Sequence, residues 1–177
     1  QWCVDNRVSR NIVFVAGLGD MTNDASTTQW GVASTAFATL DMAGLPYGMC
    51  VGNHDQNPTG SARTGSDEGA TTVNYNATFP KSRIQANGYF VDNYTFGGTY
   101  PNNMDNYYVL FNAGGMDFIV FFLESEMDSG GTYQGVCTSA TCLAVVQWVD
   151  DLLTNTYPNH RAIIIGHALM APAGAFH

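Results

Sequence analysis

Two stretches decide the fold: Asn11-Ile-Val-Phe-Val-Ala-Gly-Leu-Gly-Asp20 and Gly44-Leu-Pro-Tyr-Gly-Met-Cys-Val-Gly-Asn-His-Asp55. Each carries a short apolar run into glycine and then into polar residues of ligand type. The runs Asn11 to Ala16 and Pro46 to Val51 are too short for helices and read as buried strands. Between them, Thr28 to Ala43 places Trp30, Ala33, Phe37 and Leu40 at helical spacing, and Ala43-Gly44 stops the helix because glycine tolerates the left-handed cap position. Strand, loop, helix and strand make a βαβ unit, so the two strands are expected to be parallel neighbours.

Working outward, Gln1 to Arg10 reads as the end of an amphipathic helix, so the chain is expected to begin inside a fold, and no leader is visible. Met21 to Thr27 is polar and turn-like. Gln56 to Asn106 is rich in Gly, Asn, Thr and Tyr and is taken as an insertion over one face, anchored by Phe79-Pro80 and Tyr89-Phe90. Its aromatics Tyr75, Tyr89, Phe90, Tyr94, Phe96 and Tyr100 read first as loop anchors and second as a surface for stacking on a nucleoside or sugar. Tyr107 to Asn112 and Met116 to Leu123 form a hairpin about Ala113-Gly114-Gly115. A helix over Thr141 to Thr156, with Leu143, Val146, Val149 and Leu153 on one stripe, ends at Tyr157-Pro158-Asn159. Arg161 to Gly166 is the last strand and runs into His167. These elements predict one α/β domain.

The 177 residues carry a net charge of −9 with only six Lys and Arg. Such a balance disfavours nucleic acid and anionic membranes, both of which are bound through basic side chains. No apolar run approaches the roughly 20 residues of a membrane helix. The charged fraction of 12% is about half the usual value, an extracellular style of surface. Of four cysteines, Cys137 and Cys142 bracket a short Thr-Ser-Ala-Thr loop and could close a local disulfide. Cys3 and Cys50 then pair by elimination, with three connectivities open and four free thiols the alternative. Sequons at Asn76-Ala77-Thr78 and Asn93-Tyr94-Thr95 add to the expectation of a secreted glycoprotein.

Three strands end on residues that bind cations: Asp20 after the first, Asn53 and His54 after the second, His167 after the last. Ligands collect at the carboxyl ends of strands in open α/β sheets. A carboxylate suits hard divalent ions, and imidazole adds affinity for Zn, Fe or Mn. Taken singly, Gly-Asp is a common turn and a lone His at a strand end is more often structural. The ordered set on strand ends is what points to a metal site.

The order Asn-Ile-Val-Phe-Val, Gly-Leu-Gly-Asp, a Trp-containing helix, Gly-Leu-Pro-Tyr-Gly and Gly-Asn-His-Asp resembles the calcineurin-like metallophosphoesterases. The likeness continues through the Met116 to Leu123 strand, the Trp148 helix and Arg161-Ala-Ile-Ile-Ile-Gly-His167, nearly the whole chain. It implies a layered α/β/β/α sandwich that hydrolyses phosphate esters with two divalent metal ions. In that scheme Asp20 bridges the ions, Asn53 and His167 bind one of them, and His54 stabilises or protonates the leaving oxygen. Asp55 orients His54 through its ring N–H. The ions neutralise the anionic ester and activate water. The family's early Asp-x-His and late Gly-His-x-His elements have no counterpart here. Residues 1–177 are therefore expected to form a partial domain, incomplete at both ends and weak or inactive alone. The rival expectation is a non-catalytic extracellular structural or binding protein, part of an assembly, that reuses the scaffold.

Overall fold

The computed structural model describes residues 1–57, 72–94, 103–124 and 140–167, with the side chains of 140–142 left aside. The elements are α1 (Trp2–Asp5), β1 (Val15–Gly17), α2 (Thr27–Ala43), β2 (Tyr47–Met49), α3 (Val73–Thr78), α4 (Lys81–Gln85), β3 (Phe90–Asn93), β4 (Tyr107–Ala113), β5 (Met116–Leu123), α5 (Ala140–Asp151) and β6 (Arg161–Gly166). The chain is mixed α/β. Strands β1 and β2 pair in parallel, and a second sheet runs β3-β4-β5-β6. In it β3, β4 and β5 are antiparallel in turn, and β6 is parallel to β5.

The expected βαβ unit is present. Ser26 caps α2 by accepting the Gln29 N–H at 3.4 Å, and Gly44 closes it with φ 55° in the left-handed region. Trp30, Ala33 and Leu40 are buried, and Phe37 packs on Tyr47 of β2 with ring centroids 5.0 Å apart. Strand β1 is shorter than expected, because Asn11 turns with φ 52° and Val13 is exposed.

The two sheets pack face to face. Strict alternation along β4 and β5 sends Tyr107, Val109, Val120 and Phe122 toward the core shared with β2, and Tyr108, Ile119 and Phe121 toward α5. Gly48 of β2 is forced by this contact, since a Cβ there would lie 2.3 Å from the Phe122 ring. The free edge of β2 is closed by two tyrosine hydroxyls rather than by a strand. Tyr107 accepts the Met49 N–H at 2.8 Å and donates to the Met49 carbonyl at 3.1 Å. Tyr89 does the same for Tyr47, at 3.1 and 2.8 Å. Main-chain groups that burial would strand are thereby satisfied.

Several expectations are corrected. The stretch from Gln56 to Asn106, expected as an insertion, contains α3, α4 and β3 in its described part. Tyr75 and Tyr89 are anchors bonded to β2, while Phe96 and Tyr100 lie outside the described residues. Along α5 and the turn after it, Val145 and Val149 are buried and Trp148, Leu152 and Leu153 partly so; the expected stripe holds at Val149 and Leu153 but not at Leu143 and Val146, which are half exposed. The aromatic floor of Tyr108 and Phe121 sets that rotation. The Cys3–Cys50 bridge is not formed. Both thiols are free, and Cys50 is buried beside the Gly17 carbonyl, 3.8 Å away. Cys137 and the Cys142 side chain lie outside the described residues. The sequons read as structural. Asn76 Nδ2 donates to Thr72 and to Asp105. Asn93 is 6% exposed, and its Nδ2 donates to the Asn103 carbonyl at 2.8 Å.

Candidate functional site

The carboxyl ends of β1, β2 and β6 meet although they belong to two sheets. Gly17 of β1 pairs with Met49 of β2, and β6 delivers His167 one residue past its end. His167 Nε2 lies 3.2 Å from Asp20 Oδ2. The second chain crossing comes from β2, where the His54 N–H donates to Asp20 Oδ1 at 3.0 Å. Two glycines make this approach possible. A Cβ on Gly52 would sit 2.3 Å from Asp20 Oδ1, and one on Gly19 would sit 2.6 Å from His167 Nδ1. Gly19 also has φ 85°, and Asp20 itself holds a left-handed φ of 51°, an uncommon conformation for a residue with a side chain.

Both histidines have their tautomer set by the main chain. His167 Nδ1 is 2.8 Å from the Leu18 carbonyl oxygen, and His54 Nδ1 is 2.8 Å from the Asn23 carbonyl oxygen. A carbonyl only accepts, so each Nδ1 carries the hydrogen and each Nε2 is left for a ligand or a transferable proton. The expected partner of His54 is thus replaced: Asn23, not Asp55, orients the ring. Asp55 is 1% exposed. Its carboxylate accepts the Thr22 N–H at 2.9 Å and the Gly52 N–H at 3.0 Å, with Thr22 Oγ1 at 3.2 Å. Burial pushes its carboxyl above the ordinary carboxylate range, and the hydrogen bonds from Gly52 and Thr22 oppose that rise. Asn53 sits between Gly52 and His54, both in contact with Asp20, and its carboxamide makes no hydrogen bond among the described residues.

Two of the expected donors, Asp20 and His167, are spaced as two ligands of one cation would be. Two ligand atoms that share an ion with bonds of about 2.0–2.2 Å must lie roughly 3 Å apart. Asp20 Oδ2 and His167 Nε2 meet that condition at 3.2 Å. Among the described residues no third His, Cys, Asp or Glu joins them in a metal-binding cluster. Sequence reading placed Asp20, Asn53, His54 and His167 together. It missed Thr22 and the Leu18 and Asn23 carbonyls; a carbonyl leaves no trace in residue type, and Thr22 looks like any loop threonine.

Over 175 residues the chain is 27% identical to the uncharacterized protein YvnB of Bacillus subtilis (strain 168), a match covering 98% of this chain and 11% of that protein. The chain thus spans about a tenth of the length of the relative it matches. No family model matches, and no solved structure does.

Proposed function

We propose that this chain carries one metal position of a dinuclear phosphoesterase site, and that the protein hydrolyses phosphate esters. The observation that supports the reading best is the pairing of Asp20 Oδ2 with His167 Nε2 at 3.2 Å, with the His167 tautomer fixed by a carbonyl. The stacking of a small parallel sheet on a larger mixed one, with α2 and α5 on the outer sides, suits a metallophosphoesterase-type α/β/β/α sandwich. Asp20, His167 and Asn53 would hold the cation, which supplies charge neutralisation to an anionic ester and lowers the pKa of bound water.

The chain's own residues have distinct tasks in this reading. Asp20 presents one carboxylate oxygen to His167 and anchors the other on the His54 N–H, so its two oxygens cannot rotate. Gly19 and Gly52 leave the space that the His167 ring and the Asp20 carboxylate occupy. His54 holds its Nδ1 proton on Asn23, so Nε2 is the atom that stabilises or protonates the leaving oxygen. A positioned acid of this kind contributes about 10²–10⁴-fold to rate.

The test combines metal content with release of a chromogenic phenol from mono- and diesters in Mn or Zn. Bound metal is expected in the purified chain and is lost with Asp20→Ala. In a longer chain that carries the flanking segments, metal-dependent turnover falls about 10²-fold or more with His54→Ala while metal content stays. A chain without metal favours the second reading, an extracellular scaffold or binding protein, which the two-member His/Asp cluster and the low charged fraction support.

A further inference from the structure

Asp55 is the most deeply buried carboxylate near the site, and it spends its hydrogen-bonding capacity on loops. Its oxygens take the amide of Thr22 from the loop after β1, and the amide of Gly52 from the loop after β2. Thr22 deepens the link. Its hydroxyl lies 3.1 Å from the His54 carbonyl and 3.2 Å from Asp55 Oδ1, and it accepts the Ala25 N–H at 3.2 Å. Asp20 makes the reciprocal contact, its carboxylate taking the His54 N–H from the opposite loop. Each loop therefore offers a carboxylate to the other loop's amides, a clasp closed from both sides.

We propose that Asp55 and Thr22 are positioning residues that lock the Asp20 loop to the Asn53–His54 loop, setting the metal donors in register rather than orienting the His54 ring. The inference rests on the proposed function only where it speaks of metal. A buried carboxylate costs free energy unless its hydrogen bonds are made. Here three bonds converge on it from two loops, so moving either loop breaks some of them. The ring of His54 hangs from the Asn23 carbonyl, three residues beyond Asp20 on the loop that Thr22 fixes, so the lock also sets where His54 stands.

The experiment uses Thr22→Val, Thr22→Ser and Asp55→Asn. In the metal-free chain, residue-resolved amide exchange is followed at Thr22, Gly52 and His54, and ring ¹⁵N shifts report the His54 tautomer. Asp55→Asn is expected to speed exchange at all three amides together, His54 included, although that amide bonds to Asp20 and not to Asp55. The tautomer stays Nδ1–H. Thr22→Val loosens the same three amides by less, and Thr22→Ser restores them. Mn²⁺ titration by calorimetry should then show affinity about 10–100-fold weaker in Asp55→Asn and Thr22→Val, with Thr22→Ser near the parent. Retained protection at His54 in Asp55→Asn, or a tautomer switch there, overturns the latch. So does unchanged Mn²⁺ affinity where the parent binds Mn²⁺. If the parent binds no Mn²⁺, the proposed function falls, and the amide pattern alone still decides the latch. Thr22→Val keeps the buried carboxylate and its amide bonds, so the test survives if Asp55→Asn fails to fold.

Discussion

Gly52 shows how a single residue type can hold a site open. An alanine methyl there would meet Asp20 Oδ1 at 2.3 Å and the Asp20 main-chain nitrogen at 2.5 Å. A side-chain end can move aside, but a main-chain nitrogen held by its loop cannot. Gly52→Ala is therefore expected to displace the Asp20 loop, at a cost of about 1–3 kcal/mol in stability, and to abolish metal binding. Thermal unfolding with and without Mn²⁺ checks both effects, and a variant that keeps its metal-dependent stabilisation would count against the geometry described. The same scale separates the three acidic roles at the site. Asp20 offers oxygens outward to His167, Asp55 is sealed inside by amides, and Asp24 caps the turn into α2 by accepting the Ser26 N–H at 3.0 Å.

Among the elements, α2 and α4 are joined by charge rather than by apolar packing alone. Asp41 accepts Arg83 Nε at 3.0 Å and Nη2 at 2.8 Å on one oxygen, and the Tyr47 hydroxyl and Asn87 amide at 2.8 and 2.9 Å on the other. Arg83 goes on to Ser34 Oγ at 2.9 Å and lies over the Phe79 ring, 4.5 Å from its centroid. This clamp fixes the segment that sequence reading took for a loose insertion. Burial works to raise the Asp41 carboxyl, but hydrogen bonds from Asn87, Arg83 and Tyr47 outweigh it and hold the group below its ordinary value. A depressed folded pKa stabilises the protein above the unfolded pKa, near pH 4, and that contribution is lost as pH falls through the folded value. Asp41→Asn is accordingly expected to lower the unfolding midpoint at pH 6–7, by an amount that shrinks below about pH 4. Guanidinium unfolding of parent and variant across that range tests it; a gap that stays constant with pH would refute the assignment.

Across the whole molecule, the sheets are fastened by hydroxyls as well as by hydrocarbon. Tyr107 is fully buried and satisfies both main-chain groups of Met49 from the opposite sheet. Tyr107→Phe keeps the ring and its stack on Phe122, 5.0 Å away, but strands the Met49 N–H in the core, while the Met49 carbonyl keeps the Tyr75 hydroxyl at 3.5 Å. A loss of about 1–3 kcal/mol per stranded group follows, measurable by chemical unfolding, and because β2 carries the Asn53–His54 loop, metal affinity should fall with it. The sequence by itself determined the elements whose signals are local: the βαβ start with its Gly44 stop, the hairpin at Gly114-Gly115, the strand ending at His167, and the placing of Asp20, His54 and His167 just beyond strand ends. Such features depend on periodicity, turn chemistry and residue type, which neighbours in the chain reveal. Only the tertiary structure decided the rest. Val145 rather than Leu143 faces the core because the rings beneath α5 choose its rotation. Cys3 and Cys50 stay apart, and the Asn76 and Asn93 amides are drawn into hydrogen bonds, because distant segments reach them first. Asp55 serves loops instead of the His54 ring for the same reason: its partners are main-chain N–H groups brought close by folding, and every residue but proline carries one.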